Sequence, residues 1–289
     1  MLFQNKCLLR IVLVLMAAGL ISCGRNDHTS PAGYSLSNPK RSDLGKALEE
    51  ISGIFFVQED SSLLAISDSK ERVFQINLKT QKLQDYTDKV IPKDADLEDV
   101  VKVDSSVFLL MSRGELIELA PGEEDTSNIK RYNLGLAGSN DFETLYYDPT
   151  VQGLILLCKS CAQEKGTGVR TAFKFDLRSR TFDKEPFYTI STEKVEDLLK
   201  NTDIKFAPSA AAIHPVSKRL FILSSAGQLL VVTDTRGQVI EAYTLNPDLY
   251  PQAEGIAFAP NGDMYISNEG KYGNATLYYF PLQQTSKKK

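Results

Sequence analysis

Five times along the chain, a short apolar run, a polar turn and a second apolar run follow one another. The copies are EEISGIFFVQEDSSLLAISDS from Glu49, LEDVVKVDSSVFLLMSRG from Leu97, FETLYYDPTVQGLILLCKS from Phe142, PSAAAIHPVSKRLFILSSAG from Pro208 and QAEGIAFAPNGDMYISNEG from Gln252. Before each stands an aromatic residue, a spacer and usually an aliphatic, at Tyr34–Leu36, Tyr86–Asp88, Tyr132–Leu134, Tyr188–Ile190 and Tyr243–Leu245. Stretches such as VFQINLKTQKLQDY and LLVVTDTRGQVIEAY lie between the two and carry hairpin signals flanked by β-formers. One unit is therefore four short strands in about 45 residues, the period of a propeller blade. Blade sheets pack face to face, so their inner strands are buried on both sides and read as unbroken apolar runs, as GIFFV, RLFIL and GIAFA do.

The ends of the repeat indicate how the ring closes. The fifth unit stops after ATLYYFPL without an outer aromatic-x-aliphatic strand, and the spare copy, Tyr34–Leu36, stands at the other end of the chain. Pairing it with the last blade would hide two sheet edges. The fold predicted is all-β, a propeller of five four-stranded blades over residues 34–282, closed by an N-terminal strand. The longer spacing between Glu143 and Ser209 leaves room for a degenerate sixth blade. Within that spacing, STEKVEDLLKNTDI predicts a helix with Ser191 or Thr192 at its N-cap and an apolar face of Val195, Leu198 and Leu199. It is either a plain insertion between blades or a lid over the channel.

Residues 1–22 read as a leader, with Lys6 and Arg10 ahead of an apolar stretch too short to span a bilayer. The stretch ends in Leu20-Ile21-Ser22-Cys23, which resembles the bacterial lipobox, so Cys23 is expected to carry lipid and to anchor the mature chain in the membrane. Gly24 follows it with no acidic residue beside it, which points to the outer membrane of the cell envelope. Residues 23–33 form a polar tether and 283–289 a disordered tail. Loss of the leader's two cations takes the formal charge from −4 to −6. A mildly acidic chain without a basic cluster argues against nucleic acid as a partner. A monomer is expected. The two cysteines left in the domain, Cys158 and Cys161 in CKSC, end a strand-like run, and an oxidising compartment allows them to form a structural disulfide.

The motifs LEEISGI, LLAISDS, DLEDV, FETLYYDP, PSAAAIHP and AEGIAFAPNGDMYISNE resemble, in order, those of the SdiA-regulated (YjiK-like) family of bacterial propeller proteins. The resemblance implies a propeller of about five blades and calcium binding, and it implies no particular reaction.

Aligned on the first apolar run, the repeats begin at Glu50, Glu98, Glu143, Ser209 and Glu254. In a propeller the innermost strand starts at one mouth of the central channel and the next strand returns there. This groups the lead residues with Asp68, Ser112, Arg113, Lys159, Ser225, Asn268 and Glu269. Four carboxylates near one axis repel, by about 4 kcal/mol for a pair 4 Å apart at an effective dielectric of 20. A cation, Arg113 or Lys159, backbone amides or raised pKa values must offset that. Calcium, which accepts six to eight oxygens in irregular geometry, is the cofactor that Glu50, Glu98, Glu143 and Glu254 would suit. The opposing reading is that each glutamate only caps amides at a blade junction. His28 lies in the tether and His214 stands alone before Pro215, so no Ser-His-Asp triad is visible. The function expected is binding or scaffolding, with a small ligand, a glycan or an envelope protein as partner. The alternative is a metal-dependent esterase, lactonase or phosphatase at the same mouth.

Overall fold

The computed structural model describes residues 29–86, 91, 95–119, 129–270 and 273–283. The leader, Cys23, most of the tether and the tail beyond Gln283 lie outside them. The closing strand β1 (Lys40–Asp43) comes first. Blade one follows as β2 (Ile51–Val57), β3 (Ser62–Ser67), β4 (Lys70–Asn77) and β5 (Leu83–Asp85). Blade two is β6 (Leu97–Val103), β7 (Ser106–Met111), β8 (Glu115–Leu119) and β9 (Lys130–Asn133). In blade three, β10 (Asn140–Asp148), β11 (Gly153–Cys161) and β12 (Val169–Asp176) are bordered by a divided outer strand, β13 (Thr181–Phe182) and β14 (Tyr188–Ser191), both paired with β12. After helix α1 (Thr192–Leu199), blade four is β15 (Ala210–Ile213), β16 (Leu220–Ser224), β17 (Leu229–Thr233) and β18 (Val239–Thr244). Blade five is β19 (Ala253–Phe258), β20 (Met264–Asn268) and β21 (Thr276–Phe280), completed by β1.

All ladders are antiparallel, and the five sheets form a five-bladed propeller, not a six-bladed one. Each inner strand touches the inner strand of the next blade, and β19 touches β2, so the ring is closed. Five apolar clusters fill the five seams between blades. Leu63, Phe74 and Leu277 mark the seam of blades five and one, and Ile155, Val195 and Ile222 that of blades three and four. We call the mouth where the inner strands begin the upper one. The opposite, lower mouth carries turns such as Ala259–Asp263, which Gly262 closes at φ 91°, a conformation open to glycine.

The closing strand is displaced from its predicted place. Residues 34–36 form no strand; Lys40–Asp43 pairs with Thr276–Phe280 instead. Tyr34 and Leu36 are buried in the seam of blades four and five. The aromatic-x-aliphatic signal marks buried anchors, whereas the paired residues KRSD form a largely exposed edge and leave no apolar trace. Helix α1 is capped by Ser191, whose Oγ accepts the Lys194 N–H at 3.3 Å. Val195 is fully buried, Leu199 packs beside it, and α1 lies against β12 and β18. Leu198, expected on that face, is 47% exposed, because positions 195 and 199 define the inward line of so short a helix. No residue of α1 lines the channel mouth, so the helix is an insertion and not a lid.

Candidate metal centre at the upper channel mouth

The inner strands of blades two, three and five begin with a β-bulge. Ladder pairing jumps from Leu97 to Asp99, from Phe142 to Thr144 and from Ala253 to Gly255, leaving Glu98, Glu143 and Glu254 as the extra residues. A bulge re-aims its side chain, here into the channel. In blade one the break falls between Ile51 and Ile54, so Ser52 takes the lead place. Glu50 sits two residues upstream, level with Asp96, Asp141 and Gln252. The backbone agrees: the N–H groups of Asp68, Ser112 and Glu269 donate to the carbonyls of Glu50, Asp96 and Gln252 at 3.0, 3.1 and 2.9 Å. The lead tier is thus Ser52, Glu98, Glu143, Ser209 and Glu254, with a second acidic tier above it.

The lead tier, with Glu50 and Gln252 of the second, opens into one cavity of about 160 Å³, and Asp96 and Asp141 stand at its edge without lining it. Among the described residues six carboxylates line it, from Glu50, Asp68, Glu98, Glu143, Glu254 and Glu269, against the single ammonium of Lys159. Lys159 is bonded to Glu143 Oε1 and lies 3.8 Å from Asp141. Ser209 also lines the cavity, but its hydroxyl is used structurally. It donates to the Ala253 carbonyl at 2.8 Å and accepts the Ser225 N–H at 3.1 Å, joining blades four and five.

Two residues expected at the mouth stand elsewhere. Arg113 occupies the β7–β8 turn, which Gly114 closes at φ 81°, and it lines a separate cavity with Asn133 and Asn140. Asn268, one residue before Glu269 on β20, is paired opposite Ala253 and faces the seam of blades four and five, because successive strand residues alternate faces. Cys158 and Cys161 are joined by a disulfide. They stand opposite Phe142 and Asn140, so the bridge clamps the irregular end of β11 that presents Lys159.

Burial and like charge raise the acids. Glu98 is pushed up to about 9, first by burial and then by Glu143 and Asp96. Burial and Glu143 push Glu254 up to about 8, although a Ser225 hydrogen bond and Lys159 pull partly against them. Asp68 rises to about 6 through burial and a hydrogen bond shared with Asp96, whose other partner is Ser112 Oγ at 2.6 Å. Glu143 is raised by burial, with Lys159 opposing. Burial alone would lower Lys159, but the carboxylates of Glu143, Asp141 and Glu254 outweigh it and hold the ammonium above its usual range.

The donor set fits a hard cation. Carboxylate oxygens of Glu98, Asp141 and Glu143 lie within 4.8 Å of one another. Glu143 Oε2 and Gln252 Oε1 are buried with no partner among the described residues. All these donors are oxygens, the type calcium takes. Asp96, Asp141 and Gln252 escaped the reading of the sequence, although the recurring spacings Asp96-x-Glu98, Asp141-x-Glu143 and Gln252-x-Glu254 carry the signal.

A five-bladed propeller with an acidic axial mouth is the class these features define. The chain belongs to the SdiA-regulated family, which it matches over residues 34–274. No curated protein matches it by sequence. Among solved structures, a luciferin-regenerating enzyme is similar at 13% identity and a TM-score of 0.51, over 84% of this chain and 95% of that one. Regucalcin, a calcium-binding protein from Agrobacterium tumefaciens, is similar at 10% identity and a TM-score of 0.49, over 88% and 95%. At such identities the likeness is one of fold.

Proposed function

We propose that this protein is a lipid-anchored binding or scaffold protein of the bacterial cell envelope, held through Cys23 in the outer membrane, whose propeller takes up calcium at its upper mouth. The observation that carries the metal reading is the cavity itself: among the described residues six carboxylates face one ammonium, and Glu143 Oε2 and Gln252 Oε1 are buried with no partner. Glu98, Asp141 and Glu143 would hold the ion, with Glu254 and Gln252 as further oxygen donors. Calcium tolerates such an irregular set, whereas magnesium demands a near-ideal octahedron. A bound cation supplies the positive charge that lets the raised acids ionise together. Glu98 and Glu254 then release protons, so affinity increases with pH up to about 9. With its mouth fixed in this way, the protein would present a rigid rim to a small ligand, a glycan or an envelope protein.

The test is thermal melting of metal-stripped protein at pH 7.5 with calcium or EDTA. Calcium at a hundred times its Kd adds about 2.7 kcal/mol, or roughly 5–10 °C in a domain of this size. Glu98→Gln and Glu143→Gln should lose most of that shift. A midpoint unmoved by millimolar calcium sinks the metal reading.

A further inference from the structure

The lower mouth of the channel is chemically the reverse of the upper one. All five inner strands contribute to it, through residues such as Phe55, Val101, Tyr147, Ile213 and Phe258, and its cavity of about 180 Å³ has walls of aliphatic and aromatic side chains. Beside it, in the β15–β16 turn next to Pro215, Val216 is 62% exposed, the most exposed large hydrophobic among the described residues. The chain enters at this same face. Tyr34 Oη is bonded to His214 Nε2 at 2.7 Å, and His214 Nδ1 in turn accepts the Val216 N–H at 3.1 Å. Tyr34 also reaches the Gly262 carbonyl in the β19–β20 turn. From there β1 climbs towards the upper mouth, and the chain leaves at the lower face again, where the Gln283 N–H donates to the Gly33 carbonyl at 2.8 Å.

We infer that the lower mouth docks on the lipid surface that holds the anchor, and that the acidic mouth points away from the membrane. The inference rests on the lipidation of Cys23 proposed above. Thr29, the first described residue, is six positions from Cys23. Six extended residues reach at most about 22 Å, less than the ~26 Å that the nine-residue inner strand β10 runs between the faces. Such a tether cannot climb the side of the ring and present the upper face to the bilayer. The chemistry agrees with the geometry. Apolar surface at the lower mouth gains by leaving water, whereas a mouth lined by six carboxylates loses hydration it cannot replace in lipid.

The test uses the full lipidated protein in vesicles of neutral phosphatidylcholine, so that the lysines at 287–289 add no charge attraction. A fluorophore is placed at Val216→Cys or, as a second lower-face site, at Ser217→Cys. The upper-face reference is Ser69→Cys, in the exposed β3–β4 turn. Nitroxide-labelled lipid should quench either lower label at least threefold more than the upper one. Val216→Asp should weaken quenching of the 217 label at least twofold. Equal quenching at both faces, or stronger quenching at Ser69, overturns the orientation while leaving the anchor intact. Protein that fails to sediment with vesicles overturns both.

Discussion

Glu98 and Asp99 are neighbours in sequence and meet opposite demands. Asp99 is buried, and its two oxygens accept the N–H groups of Val100 and of Leu145 in the next blade, both at 2.8 Å. On its other side, a Cβ at Gly53 would come within 2.6 Å of the Asp99 Cα, so blade one can approach this closely only through a glycine. Asp99 therefore does the junction work that could have fallen to the lead glutamates, which frees Glu98 to face the channel. Asp99→Ala leaves two buried donors without partners and should cost about 2–4 kcal/mol in chemical denaturation, with Asp99→Asn costing less because one acceptor remains. For Glu98 the prediction concerns pH. Its folded pKa of about 9 exceeds the ordinary value, so the cation-free native state binds the extra proton. Stability from this group is complete below the ordinary carboxylate pKa and is lost as pH rises towards 9. Glu254, at about 8, adds to the same slope. The melting point of metal-free protein should fall between pH 5 and 9. Glu98→Gln should flatten that fall and raise the midpoint at pH 9 by about 2–4 °C, the equivalent of about 1 kcal/mol. A steeper fall in the variant would show that Glu98 is not the titrating group.

At the scale of elements, what the sequence revealed depended on whether the structure leaves an apolar trace. The inner strands do, which is why the run-turn-run pattern located four of five blades in register. Blade one was misplaced by two residues because aligning apolar runs cannot detect a bulge: Glu50 and Ser52 both precede GIFFV, and only the jump from Ile51 to Ile54 shows which holds the lead place. The edge strand β1 left no trace, although its anchor did. Lys159 could be placed at the mouth, but its contact with Glu143 depends on β11 curling at the Cys158–Cys161 bridge, a tertiary event. The anchor of β1 makes its own prediction. His214 Nδ1 accepts two backbone N–H groups, so its proton sits on Nε2 and is donated to Tyr34 Oη, which passes its own to the Gly262 carbonyl. Tyr34→Phe breaks both ends of this chain and should cost about 1–3 kcal/mol. Because β1 covers the β21 edge, the variant should also exchange the amide protons of β21 faster than those of β16. Equal protection in wild type and variant would remove Tyr34 from the role of latch.

Along the channel axis the two mouths differ in lining, with carboxylates at the upper one and apolar side chains at the lower. A formal charge of −4 over 289 residues is ordinary in itself, yet six carboxylates share one cavity at the upper mouth. Such a cavity focuses field lines and draws cations in. The same field destabilises the cation-free ring, and two remedies should be separable. Monovalent salt screens the repulsion without entering a specific site. Raising NaCl from about 0.02 to 0.5 M shortens the Debye length from about 20 Å to about 4 Å and should lift the cation-free midpoint at pH 8 by a few degrees. Calcium should exceed that lift at under a hundredth of the ionic strength, because its effect is mass action on a site and not screening. Lys159→Met separates the two further. Removing the only ammonium among the described residues of the cavity makes the NaCl dependence steeper, and it frees Glu143 Oε1 for a metal, so calcium protection should grow by about tenfold in apparent affinity. If calcium and NaCl at equal ionic strength gave equal lifts in wild type and in Lys159→Met, the mouth would act as a diffuse negative field with no ion site in it.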